Sequence, residues 1–206
     1  MEAPEVVAAF DFDGTLSTRD NLVPFLRCVA GTGPAADAFV RSAAGLGVAG
    51  RSHWTRNQLK ARVLERLFTG REVGKVDAVA LAFADDVLAH HLREEAVQRA
   101  DWHRTQGHRL VIISASLGAY LRPIGERLRF DAVLATELEV GPDGRLTGRM
   151  SGENVRGPEK VRRLDTWLDG ATPFVWAYGD SSGDRELWAR ADRAVRLGHR
   201  AHLGTR

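Results

Sequence analysis

Two aspartates one residue apart, Asp11 and Asp13, stand in the stretch Phe10-Asp11-Phe12-Asp13-Gly14-Thr15-Leu16. The run before them, Val6-Val7-Ala8-Ala9, is apolar and bounded by Pro4 and Gly14, which fits a strand buried on both faces of a parallel sheet. Side chains alternate along a strand, so both carboxylates leave its carboxyl end on one side, where open α/β sheets place their ligands. Two such charges about 4 Å apart repel by roughly 4 kcal/mol at an effective dielectric near 20. A bound cation, or a raised pKa on one of the pair, relieves that repulsion. The plain alternative is a strand that ends in common turn formers. Chemical partners further along the chain would separate the two readings.

Such partners are present. The β-branched run Arg109-Leu110-Val111-Ile112-Ile113-Ser114 predicts a strand that runs into Ser114-Ala115-Ser116, with a helix over Leu117–Leu128. A strand, a hydroxyl-bearing loop and a helix N-terminus together make an anion site, although helix capping alone accounts for one of these serines. Gly157-Pro158-Glu159-Lys160 opens another helix with Pro in its first turn. Lys160 there opposes the helix dipole, a small cost that a function would explain. Phe174-Val175-Trp176-Ala177-Tyr178 is a further buried strand, and Gly179-Asp180-Ser181-Ser182-Gly183-Asp184 again puts carboxylates at its end. In a parallel sheet such ends share one edge, so these groups can converge. Hard oxygen donors suit Mg²⁺ better than zinc, and a cation, a lysine and backbone N–H groups suit a phosphoryl group.

The elements between these motifs are of two kinds. From Ser17 to Arg104 no period-2 run occurs; helical stretches are expected over Leu22–Val29, Ala35–Ala44, Thr55–Phe68 and, with breaks, Val76–Thr105. Beyond Arg104, strands are also expected at Asp131–Thr136 and Ala194–Leu197, with a hairpin turning at Pro142-Asp143-Gly144. The expected fold is therefore α/β: a Rossmann-like parallel sheet core (residues 1–16 and 105–206) with an all-helical cap domain (17–104) inserted after the first strand. Gly45-Leu46-Gly47-Val48-Ala49-Gly50 matches G-x-G-x-x-G, but it comes after a helical stretch and lacks the acidic residue about 20 positions on. It reads as a link between helices. His90 and His91 are adjacent on a helix and point apart, so they are not read as a metal pair.

The bulk properties restrict the function classes. With 206 residues, 44% hydrophobic and 27% charged, the composition is that of a soluble globular protein. A net charge of +2, from 29 basic and 27 acidic residues, does not call for nucleic acid. The single cysteine, Cys28, excludes an intramolecular disulfide and a cysteine zinc site, and is expected as a small buried residue. No apolar run is long enough to span a membrane. The start, Met1-Glu2-Ala3-Pro4-Glu5, has no signal-peptide pattern, and a cytoplasmic location is expected.

In these motifs, in this order, the chain resembles the haloacid dehalogenase superfamily of phosphatases, subfamily IB, and within it the phosphoserine-phosphatase-like branch. The resemblance rests on Asp11-Phe12-Asp13-Gly14-Thr15, the strand ending at Ser114, Lys160, and Asp180 with Asp184. It implies a Mg²⁺-dependent phosphatase acting on a small phosphorylated metabolite; the charge and hydropathy already given call for no nucleic-acid partner and no membrane insertion. It further implies that Asp11 is the nucleophile and Asp13 the acid and base. Ser114 with the Gly14 and Ala115 N–H groups would hold the phosphoryl oxygens, and Lys160 would neutralise the Asp11–phosphate charge. Mg²⁺ would be held by Asp11, the Asp13 backbone carbonyl and Asp180, with Asp184 ordering the site. Two positions depart from the branch: Asp20 stands where it has Glu, and Gly183 where it has Asn. Asp20, Asn21 and Arg56 are accordingly the expected selectivity residues. Rival readings are a phosphotransferase or phosphomutase of the same superfamily and, from another class, a phosphoacceptor signalling domain. A phosphoacceptor domain would not place its Asp pair on the first strand or carry so large a cap.

Overall fold

The computed structural model describes residues 5–48 and 56–197. It begins with β1 (Val6–Phe10), then five helices: α1 (Leu22–Ala30), α2 (Thr32–Val48), α3 (Arg56–Phe68), α4 (Val73–His90) and α5 (Glu94–Thr105). Next come strand β2 (Arg109–Leu117), α6 (Gly118–Arg127), β3 (Ala132–Thr136) and the hairpin β4 (Leu138–Val140) and β5 (Leu146–Met150). The chain continues through α7 (Pro158–Leu168), β6 (Phe174–Gly179), α8 (Arg185–Arg190) and β7 (Arg193–Arg196). The sheet has the order β3-β2-β1-β6-β7, and each neighbouring pair is parallel. β1 is thus central, with Ala8 beside both Leu110 and Trp176.

Alternation along the strands sorts the core into two layers. Ala8, Phe10, Leu110, Ile112 and Tyr178 face one side, where they join a buried cluster reaching Phe25, Leu64, Phe83 and Tyr120. Val7, Ala9, Val111, Ile113, Val175 and Ala177 face the other and pack on Leu164, Leu168 and Leu187 of α7 and α8. Burial on both faces explains why these strands read as continuous apolar runs. The rings of Phe25 and Phe83, from α1 and α4, lie 4.8 and 5.3 Å from that of Tyr120 on α6. The inserted helices therefore share one apolar core with the sheet. Among the described residues no helix is long and apolar enough to cross a membrane.

Three local features depart from the sequence expectations: the end of β2, the stretch at Gly45 and the burial of Cys28. β2 does not stop at Ser114: it pairs again at Leu117 with Thr136, and the irregularity between turns the Ser114–Ser116 segment out of register. The stretch read as a link at Gly45 continues α2 through Val48, while Ala49 and Gly50 lie outside the described residues. The break within the Val76–Thr105 region falls at His91–Arg93, where the Arg93 N–H donates to Leu16 O at 2.8 Å. Cys28, expected to be buried, is exposed on α1.

Candidate active site

The site begins where β1 stops. After Phe10 the chain enters a tight turn over Phe12–Leu16, in which Gly14 adopts φ +74°. A side chain at that position would be strained in this conformation, and its Cβ would lie 2.2 Å from Asp180 Oδ2. Glycine therefore lets the backbone pass directly under Asp180. Arg93 supports the turn from outside, donating from Nη2 to Gly14 O at 3.1 Å and from Nε to Thr15 O at 3.2 Å.

The turn aims its two aspartates at different partners. Asp11 Oδ1 accepts from Lys160 Nζ at 2.6 Å, and the same ammonium donates to Asp184 Oδ1 at 2.6 Å. Lys160, Asp184 and Asp11 are all buried. Oxygens of Asp11, Asp180 and Asp184 lie within 4.8 Å of one another. One ammonium faces three carboxylates, so negative charge is in excess. Such an oxygen-only donor set fits a hard divalent cation. Burial raises Asp11 to about 6 against the pull of Lys160, with Asp184 adding to the rise. Asp180, although exposed, is also raised, first by desolvation and then by Asp184. Burial opposes the charge on Lys160, but Asp11 and Asp184 beside it reverse the balance and hold it above its usual range.

Asp13 stands apart from that cluster. Its Oδ1 accepts from the Asn21 backbone N–H at 3.0 Å and from Asn21 Nδ2 at 2.8 Å, and its Oδ2 accepts from Ser116 Oγ. These bonds favour the charged form, yet burial and the charge of Asp20 outweigh them and raise Asp13 to about 7. A carboxyl poised near neutrality can give and take a proton at working pH.

A cavity of about 280 Å³ is lined by Asp11, Asp13, Gly14, Ser114, Ala115, Lys160 and Asp180. The structure thus brings together the core residues expected from the sequence, from strand ends separated by most of the chain. Asp184 lies fully buried against Lys160. Asp20 borders the same cavity, while one of its oxygens accepts the Leu22 N–H at 2.9 Å and starts α1. Asn21, expected among the residues that choose the substrate, is instead fully buried, and its amide is spent on Asp13, Ser17 and Arg19. The side chain of Arg56, at the first residue of α3, lies outside the described residues.

Two groups around the site, Arg93 and Lys60, went unread in the sequence. Arg93 gave no signal, since its contacts are to backbone carbonyls 78 and 79 residues away. Lys60 did leave a trace: Val63 and Leu64 lie three and four positions on, so this lysine occupies the apolar stripe of α3. It reaches across to donate to Asn154 Oδ1 at 2.6 Å and to Ala115 O.

The sequence profile described as haloacid dehalogenase-like hydrolase matches residues 8–188. Protein CicA of Caulobacter vibrioides is 34% identical over 196 residues, 91% of this chain and 83% of that protein. A crystal structure of a protein of unknown function from Bordetella pertussis superposes with a TM-score of 0.78 at 26% identity, covering 94% and 90% of the two chains. A substrate-bound phosphoserine phosphatase complex gives 0.66 at 20% identity, covering 95% and 87%, and shares the fold.

Proposed function

The chain belongs to the haloacid dehalogenase-like hydrolase family, and on that premise we propose that it is a cytoplasmic, Mg²⁺-dependent phosphatase that hydrolyses a small phosphomonoester through an aspartyl-phosphate on Asp11. One observation carries the reading: Lys160 bridges Asp11 and Asp184 at 2.6 Å each, beside a second carboxyl, Asp13, raised to about 7. A nucleophile wants its negative charge steadied, and an acid wants its proton retained; the two aspartates are placed in those two environments.

Asp11 attacks phosphorus as the ester P–O bond breaks, and Asp13 delivers its proton to the departing alkoxide. Water then attacks the aspartyl-phosphate and gives a proton to Asp13, which restores the Asp11 carboxylate and releases inorganic phosphate. Lys160 stays protonated throughout and offsets the charge gathered on Asp11 and the phosphoryl oxygens. Ser114 and the Gly14 and Ala115 N–H groups border the cavity where those oxygens would lie. Mg²⁺, when bound, would be held by Asp11, Asp180 and the Asp13 carbonyl, with Asp184 ordering them, and would draw charge from the transferring group. The helices between β1 and β2 act in this reading as a cap domain that covers the site.

Release of p-nitrophenol from p-nitrophenyl phosphate, with Mg²⁺ and with EDTA, tests the proposal in wild type and Asp11→Asn. Activity that disappears both with EDTA and in Asp11→Asn supports it. Activity that survives in Asp11→Asn overturns it. A phosphorylated Asp11 that does not turn over in water would mark a phosphotransferase instead.

A further inference from the structure

A second cavity, of about 230 Å³, opens beside the first, and Asp13, Asp20, Ala115 and Arg156 border both. Its other walls are strongly apolar. Val23 and Leu26 of α1, Phe39 of α2, and Leu59 and Val63 of α3 line it. Val23, Phe39 and Leu59 are only half-buried. Lys60 is the charged exception on the α3 wall, and its ammonium is already engaged by Ala115 O and Asn154 Oδ1. Among the described residues no carboxylate lies within ion-pair distance of it. Asn154 is itself held, accepting from Thr136 Oγ1 at 3.0 Å and donating to Asn57 Oδ1 at 2.8 Å. Burial pushes Lys60 down to about 8, as expected of a wall poorly reached by water.

We propose that this cavity seats the leaving alcohol, and that the substrate is a phosphomonoester with an apolar body of several carbons. The inference rests on the phosphatase reading and adds the substrate class to it. The placement comes from Asp13: the group that protonates the leaving oxygen borders both cavities, so the alcohol extends from the phosphoryl cavity past Asp13 into the apolar one. A charged amine could reach Asp20 only where the two cavities meet; beyond it the amine would meet apolar side chains and the Lys60 cation. An alkyl or aryl alcohol meets surface that gains by being covered.

Two series on the intact protein test this. The first is kcat/KM for ethyl, butyl and hexyl phosphate and for phosphoserine, with Mg²⁺, in wild type, Val23→Ser and Leu59→Ser. The second is calorimetric binding of the matching alkylphosphonates, which cannot be hydrolysed. The expected result is a rise of about fourfold per added methylene until the cavity is filled, with phosphoserine below butyl phosphate and a flatter rise in both variants. Turnover that ignores chain length, or favours phosphoserine, overturns the proposal and leaves the phosphatase reading intact. Phosphonate binding that tightens with chain length without turnover of any ester supports the cavity assignment and removes the hydrolysis. Neither binding nor turnover overturns both.

Discussion

Lys160 Nζ meets Asp11 Oδ1 at 2.6 Å although 149 positions separate them in the sequence. The pair is buried, and a second carboxylate, Asp184, shares the same ammonium. Breaking a buried ion pair from one side leaves an uncompensated charge and costs about 3–5 kcal/mol. Lys160→Met is therefore expected to destabilise the protein by about that amount, measured by urea unfolding at neutral pH with EDTA. Adding Asp184→Asn removes one of the stranded charges and is expected to recover part of the loss. Equal stability of single and double variants would show that the carboxylates do not depend on this lysine.

Asp13 leads to a prediction of opposite sign. Its carboxyl is raised in the folded protein to about 7 from the usual 3.8, by burial and then by Asp20. Between those values the folded state holds a proton that the unfolded chain has lost, so stability falls as pH rises through this window. The cost is complete above pH 7 and absent below about 4. Asp13→Asn, which cannot ionise, is expected to abolish turnover while raising Tm by about 5 °C at pH 8 without metal. That gain should shrink as the pH is lowered towards 4. A variant that melts below wild type at pH 8 would contradict this account.

Asn21 holds Asp13 through its side-chain amide and its backbone N–H. Asn21→Ala removes the first and keeps the second, so Asp13 loses a donor that favours its charged form. The expected outcome is a kcat lower by about 10- to 100-fold, since positioned acid–base groups contribute on the order of 10²–10⁴. The alkaline limb of the pH–rate profile should also move upward. Asn21→Asp should be worse than Asn21→Ala, because it places a carboxylate against Asp13. A changed substrate preference with an unmoved pH profile would instead return Asn21 to the selectivity role.

Gly148 tests the seam between α3 and the hairpin, away from the chemistry. It sits at φ +82°, and a Cβ there would lie 2.8 Å from the Glu65 Cα and 2.9 Å from its carbonyl oxygen. Backbone cannot give way as a flexible side chain can. Gly148→Ala is expected to cost at least ~2 kcal/mol, from the left-handed backbone and the clash together. At about 2–4 °C per kcal/mol, that is a Tm lower by at least ~4 °C. An unchanged melting temperature would show that α3 and β5 separate without penalty.

Much of this architecture was legible because the strands are buried on both faces. Val6–Phe10, Leu110–Ile113 and Phe174–Tyr178 read as apolar runs for that reason, and the carboxylates at their ends were already on one edge once the sheet was taken as parallel. Lys160 and Asp184 were legible from the turns that carry them. What lay beyond the sequence was long-range. That Asn21 turns inward to Asp13 depends on the path of the chain from Phe12 to Leu22, which no periodicity reveals. The apolar cavity needs α1, α2 and α3 side by side, and their stripes read equally well as ordinary core. Arg93 reaches only backbone carbonyls, which carry no sequence identity to match.

The central place of β1 in the sheet also bears on how the protein is made. Asp11 leaves the ribosome early, whereas its neutralising lysine emerges 149 residues later. At about 5–20 residues per second, roughly 7–30 s separate the two. During that interval the middle strand has no β6 on its far side, and Asp11 has no ammonium beside it. A nascent chain of this protein therefore cannot assemble this site before Lys160 and β6 have emerged. Under the proposed function, turnover would report that synthesis has passed Asp184 and that the two halves of the sheet have closed around their first strand.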